Sequence, residues 1–332
     1  MTKPNHKGTK TLMIALCLCV FAAGNASAQA QTQSTSEAEA LQAIKLATNP
    51  TTKLTAAEDF IARFPKSESR VAIAELVAAE ILKIKNGTVV LALFERAQAV
   101  FTTEQEKAIL GPLALEAYSR GNRPDDAFAL AGEMLAKNPD DLYVLARMAR
   151  AGAEEARKKN RRHSDAALQY GLKAIALIEA GKRPASFDEI TWADYKASLG
   201  QLYQYTAILY LAADNAAEAK ARLTKATALS PYDPSNFAML GRVINADYLA
   251  QMKEYEAMAE GSAKDDLRKK LDAVVDEMID AYARAAGLAT GRPEYQTLLQ
   301  QVIPDLTSYY KYRHKSTKGL VQLINQYKPK RG

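Results

Sequence analysis

Cysteine is nearly absent from this 332-residue sequence: only Cys17 and Cys19 occur, both in an apolar stretch close to the N-terminus. Beyond that stretch no disulfide and no thiolate metal site can form, so the rest of the chain must be held by packing. Histidine is almost as scarce, with His6, His163 and His314. The nucleophile–base pairs and zinc spacings of common hydrolases therefore have little to work with. A phosphate-binding glycine loop is missing too. So is a long hydrophobic run: Leu12 to Ala23 is the longest, short of the about 20 residues that span a bilayer. Alternating β-branched residues, the mark of strands, hardly occur. No cofactor, no metal and no catalysis are expected from such a composition.

What is present begins with a targeting pattern. Lys3, Lys7 and Lys10 precede the apolar run, and Ala26-Ser27-Ala28 follows it as a small-residue cleavage site. Residues 1–28 read as a signal peptide, cut before Gln29, which makes the protein exported, periplasmic or secreted, with no stable membrane anchor. Each cysteine follows a leucine, where a lipid-modified cysteine takes a small residue, which argues against a lipoprotein. Three of the formal +6 charges leave with the segment, so the remainder is near neutral at +3. Its basic residues are unevenly placed: from Thr307 onward stand Lys311, Arg313, Lys315, Lys318, Lys328, Lys330 and Arg331, with no acid. Nucleic acid is the usual partner of a basic tail, but export favours an anionic surface or an acidic protein face.

Residues 29–40 are polar and small, without an aromatic or large aliphatic side chain, and read as a disordered linker. From Leu41 apolar residues recur at helical steps of three and four. Ser36-x-x-Glu39, Thr55-x-x-Glu58, Thr103-x-x-Glu106 and Ser186-x-x-Glu189 have capping-box spacing, each the expected start of a helix. Breakers fall at Pro65, Asn86-Gly87, Gly121-Asn122, Asn138-Pro139, Gly181, Asp214-Asn215, Ser230-Pro231 and Gly291. The fold class is all-α, helices of ordinary length joined by short turns. A longer helix is expected from Phe187 to Ala213, and two long ones between Ser235 and Ala289.

A repeat is clearest from Gly200 to Asp233. Tyr203, Ala207 and Tyr210 line one helix, Asp214-Asn215 turn the chain, Ala219, Leu223 and Ala226 line the second helix, and Pro231 closes the unit. Small residues let the two backbones approach while the tyrosines and Leu223 fill the space beside them. Phe237, Leu240, Gly241 and Ile244 restart the pattern in phase. This spacing resembles the tetratricopeptide repeat, a helix-turn-helix unit of about 34 residues. Tyr118, Ala127, Ala131, Met134 and Pro139, then Leu145, Met148 and Ala149, then Ala167, Gly171 and Ala174 match more loosely, and Phe60 to Ser67 resembles the end of such a repeat. The resemblance implies a right-handed superhelical solenoid of antiparallel helix pairs over residues 41–290, closed by capping helices and a basic tail over 291–332, where Leu320, Leu323, Ile324 and Tyr327 mark a last amphipathic helix.

The same resemblance implies a function. In such arrays the first helices of the pairs line a concave groove that holds a peptide or partner helix, and position by position this points to Arg150, Gln204, Arg242 and Asn245 as groove residues. The lysine and asparagine set that clamps a terminal carboxylate in some family members is not reproduced. The expected role is a protein-binding scaffold of the cell envelope, its partner another protein or peptide and not nucleic acid. An enzyme acting on envelope glycan, resting on two carboxylates across a cleft, and a self-assembling structural protein are the alternatives. Other clusters have bland readings. Arg268, Asp272, Asp276, Asp280 and Arg284 recur every fourth residue, a salt-bridged helix face better than a calcium site, because calcium needs oxygens converging from a loop. Arg157 to His163 suits the end of a helix, where cations meet the negative dipole, or else an anion-binding knob. Tyr309, Tyr310 and Tyr312 read as cap packing, while Trp192, Tyr195 and Tyr205 remain candidate binding anchors.

Overall fold

The structure, a computed structural model, describes residues 36–329, all of them in helices or the turns between, with no strand among them. None of these helices is long and apolar enough to cross a membrane. The expected signal peptide and residues 29–35 lie outside the described residues, as do 330–332. The chain divides into two compact units, one up to Ala127 and one from Phe128.

The first unit comprises α1 (residues 36–46), α2 (Pro50–Arg63), α3 (Arg70–Leu82), α4 (Gly87–Val100) and α5 (Glu104–Arg120). Its helix starts are chemically marked. Asn49 accepts from the Thr52 amide at 2.9 Å, with Pro50 in the first turn, and Asn86 accepts from Val89 at 3.2 Å. Thr103 and Glu106 form the expected capping box, a motif that satisfies two otherwise unpaired amides at once. α2 packs on α3 and α4, and α5 on α3 and α4, around Phe60, Ile73, Ile81, Phe101, Leu113 and Leu115. Each of these buried side chains contributes about 1.5–3 kcal/mol. α6 (Pro124–Lys137) carries the division between the units within its length.

The second unit contains α7 (Leu142–Arg157), α8 (Ser164–Glu179), α9 (Glu189–Ala197), α10 (Leu199–Ala212), α11 (Ala216–Leu229), α12 (Pro234–Ala257), α13 (Ser262–Ala289), a short 3-10 turn (Pro293–Tyr295), α14 (Gln296–His314) and α15 (Leu320–Gln326). Sequence neighbours pack on one another: α7 on α8, α10 on α11, α12 on α13, α13 on α14 and α15, with α10 also resting on α7 and α8. α12 and α13 run antiparallel, for Arg284 lies over the Phe237 ring at 5.8 Å near one end of the pair, and Lys264 over Tyr255 at 5.1 Å near the other. They approach most closely at Gly241, where an added Cβ would stand 2.5 Å from the buried Tyr282 ring. Of the repeat positions, Tyr203, Ala207, Ala219, Leu223, Ala226, Phe237 and Gly241 are buried, Tyr210 and Leu240 are half-buried, and Pro231 is exposed at its turn.

The breakers named from sequence all fall at helix ends, with positive φ at Asn122, Gly181, Asp214 and Gly291. Four local expectations need correction. Residues 36–40, read as linker, are helical: Arg63 donates to Ser36 at 2.8 Å and Ser67 to Glu37, which ties α1 down. Thr55 and Glu58 lie inside α2 and receive Arg96 from α4, and the cap expected at Ser186 is made by Asp188, which accepts from Thr191 at 2.7 Å. The single long helix from Phe187 to Ala213 is two, α9 and α10, interrupted at Ser198, whose hydroxyl donates to the Tyr195 carbonyl at 2.8 Å. Gly200 stands two residues beyond that break. The helices after Gly291 pack on α13.

Candidate functional site

A recess of about 170 Å³ lies between α7, α9 and α10. From α7 come Tyr143, Arg147 and Arg150, at helical spacings that set them on one face, and from α9, the break and α10 come Tyr195, Ser198, Gln201 and Tyr205. Ser198, at the interruption between α9 and α10, is itself part of the lining. Beneath α9, Trp192 is buried among Leu142, Ile175, Ile178 and Leu202, so it supports the wall and does not face solvent. Tyr195 and Tyr205 are half-buried and pack against this cluster. Burial, with the nearby Asp141 carboxylate, pushes the Tyr195 hydroxyl up to about 12. It therefore stays neutral and able to donate a hydrogen bond at any physiological pH. Arg147 is 8% exposed, and Arg150 is exposed and bonded to Glu154 one turn along at 2.7 Å. The recess can accept one side chain of a partner between aromatic rings and guanidinium groups; it contains no nucleophile–base pair.

The four groove residues read from sequence are not brought together. Arg150 lines the recess. Gln204 is buried, its amide donating to Asn236 at 2.6 Å while its carbonyl accepts from Arg157 at 3.4 Å, so it ties α10 to α12 and to the end of α7. Arg242 and Asn245 face α14: Arg242 donates to Gln301, and the Tyr309 hydroxyl donates to Asn245 at 2.6 Å. Two positions expected to hold a foreign peptide thus hold the chain's own α14. Tyr143, Arg147 and Gln201 were not among the sequence candidates, although the spacing of 143, 147 and 150 was there to be read.

The other clusters are largely structural. Asp276 accepts from Arg313 of α14 at 2.8 and 3.0 Å. Asp280 accepts from Arg284 at 2.8 Å and from the Tyr327 hydroxyl at 2.6 Å. The acidic face of α13 is thus the solvated, salt-bridged face expected, and it also meets α14 through Arg313 and the residue after α15 through Tyr327. Among the described residues no group of three or more histidine, cysteine or acidic side chains could hold a metal ion. In the basic turn, Lys158 and Asn160 bond Glu155, Arg161 pairs with Asp214 at 3.0 Å, and His163 stacks on Phe128 with centroids 4.3 Å apart. Tyr309 and Tyr310 pack within the cap, Tyr309 edge-on to Tyr248, whereas Tyr312 is exposed.

No protein-family model matches the chain, and no curated protein is significantly similar to it.

Proposed function

We propose that this chain is a non-catalytic, exported binding scaffold built on a tetratricopeptide-like array, and that it holds a partner protein on the face formed by the first helices of its pairs. The recess between α7 and α10 is the observation that supports this reading. At about 170 Å³ it is smaller than the roughly 300–1,000 Å³ of pockets that enclose free small molecules. It is the right size for a single anchoring side chain. Tyrosine and arginine, which line it, are the residues that dominate binding energy at protein interfaces. Paired helices of matched length, α7 with α8 at 16 residues each and α10 with α11 at 14 each, support the repeat reading. The partner is a component of the cell envelope or its exterior, as the N-terminal targeting pattern implies.

The test immobilises the full chain and, beside it, a Tyr195→Ala/Tyr205→Ala double variant whose helix content is checked by circular dichroism. Both are exposed to envelope extract. The proposal expects one protein retained in stoichiometric amount by the native chain and about tenfold less by the variant, the loss typical of a removed anchor. Equal retention by both, or retention of glycan fragments alone, contradicts it.

A further inference from the structure

α12 and α13 are the longest helices described, at 24 and 28 residues, and their neighbours do not follow them to the end. On one side α11 begins at Ala216, which with Ala217 lines a cavity shared with Asp247 of α12. On the other, α14 reaches Asp276 of α13 through Arg313 and Tyr248 of α12 through the Tyr309 ring, 5.8 Å away. It then ends at His314. Lys315 turns the chain in the left-handed region, and α15 packs back on α13, where an added Cβ at Gly287 would stand 2.5 Å from the Ile324 carbonyl. Beyond Tyr248 and Asp272 the pair continues as a hairpin, for about ten residues on each limb and roughly 15 Å at the helical rise.

The side of the pair that α14 covers is the side left open on the hairpin. On α12, Arg242 and Asn245 meet α14, and helical steps of three and four lead from them to Leu249, Lys253 and Glu256. On α13, Asp276 meets Arg313, and the same steps lead back from it to Asp272, Arg268 and Asp265. Leu249 is 51% exposed, and Tyr312, in the last turn of α14, is 47% exposed. Lys253, Glu256, Asp265 and Arg268 are exposed too. Among the described residues none of these four forms an ion pair, whereas Lys264 and Lys269 of the same hairpin are taken by Glu260 and Asp266. Their signs run in opposite order on the two limbs, base then acid on α12 and acid then base on α13. The contacts of Phe237 with Arg284, Gly241 with Tyr282 and Tyr255 with Lys264 set the register of the pair, and in that register residues 253–256 stand level with 265–268. A face of this kind is complementary to itself. Laid antiparallel on a second copy about one two-fold axis, Lys253 meets the partner's Glu256 and Arg268 meets the partner's Asp265, each exchange occurring twice. A foreign helix of a single charge sign would meet repulsion at one member of each pair.

We infer that this face of the α12–α13 hairpin is a homodimerisation surface, on which a second copy of the chain supplies the cover that α14 stops short of providing. The surface is separate from the recess on α7 and α10, and the inference does not depend on the function assigned there. The test follows the light-scattering mass and sedimentation of the full chain across concentration up to its solubility limit. Leu249→Asp, Lys253→Glu and Glu256→Lys, all at exposed positions, are measured beside the native chain, with helix content checked by circular dichroism. The native chain should pass from one copy to two. Leu249→Asp should weaken the dimer at least about tenfold, as for an apolar anchor at an interface. Lys253→Glu and Glu256→Lys each give the α12 stripe a single sign and should each weaken it about fivefold. Mixed in equal amounts, these two variants should pair with each other as tightly as the native chain pairs with itself. A single-copy mass at every concentration overturns the inference, as do an assembly larger than two, indifference to Leu249→Asp, or a mixture that pairs no better than its parts.

Discussion

Up to Ala127 the described chain has one tyrosine, Tyr118; from Phe128 onward it has all the others and the only tryptophan. The joints of the two units differ correspondingly in how much tyrosine they use. In the first, charged side chains lock helix to helix: Arg70 of α3 grips Glu106 of α5 through two bonds of 2.7 and 3.0 Å, and Arg96 of α4 grips Glu58 of α2 through two of 3.0 and 2.7 Å. Glu106 is fully buried and also completes the Thr103 cap, so one carboxylate serves two joints. In the second, charged pairs also join helices, Arg313 of α14 to Asp276 of α13 and Lys220 of α11 to Glu277 of α13, and phenol rings and small residues are added to them. Tyr203 donates to Glu179 at 2.6 Å, Tyr309 to Asn245 and Tyr327 to Asp280, each at 2.6 Å. Tyr195 and Tyr205, which pack against the core of the second unit, also line its recess.

The contrast can be broken most strongly at Tyr282, which is fully buried in the core of α12, α13 and α14. Tyr282→Ala should destabilise the second unit by about 3–5 kcal/mol, the cost of emptying a buried aromatic site, seen as a lower urea midpoint. Next in size, Glu106→Gln leaves the Arg70 guanidinium, only 12% exposed, without its counter-charge. About 3 kcal/mol should be lost, with unfolding of the first unit as the readout. Filling the tight contact with Gly241→Ala should cost about 1–3 kcal/mol through overpacking against Tyr282. Smallest of the four, Thr103→Ala removes half of the capping box for about 1 kcal/mol, so the two substitutions that meet at Glu106 should differ markedly in size.

pH sharpens the comparison. Burial alone would raise the Glu106 carboxyl; the Arg70 bonds and the Thr103 cap together outweigh it and hold it below its ordinary value. Its contribution is complete above the unfolded value and is lost as pH falls through the folded one. In the second unit, burial pushes Tyr203, Tyr248 and Tyr282 up to about 12 from 10. Unfolding releases their protons earlier, so stability present below pH 10 drains away as pH rises toward about 12. Glu155 of the second unit is also held low, against burial, by Lys158 and Asn160. Both partners belong to its own turn, so acid loosens that turn and not a joint between helices.

Helical class, helix ends and the burial of Ala207, Ala219 and Ala226 were legible because each rests on local pattern, breakers and apolar spacing. Helix starts were less so. A hydroxyl three residues before a glutamate occurs inside helices as easily as before them, and only the surroundings decide that Thr103 caps while Thr55 binds Arg96. The break at Ser198 lies two residues before Gly200, which opens the repeat unit but falls inside the long helix expected over Phe187 to Ala213, and the recess beside it was legible only through Arg150 and the two tyrosines. The roles of Arg242 and Asn245 depended on where α14 comes to lie, a contact some 60 residues distant in sequence, Arg242 to Gln301 being separated by 59. No local period encodes that.

The measurement that tests the contrast between the units most directly is peptide-resolved hydrogen exchange on the full chain at acid, neutral and alkaline pH. Acid should open α3 and α5 before α12 and α13, and pH between about 10 and 12 should open α10, α12 and α13 first. The same order of opening at both extremes would contradict the account.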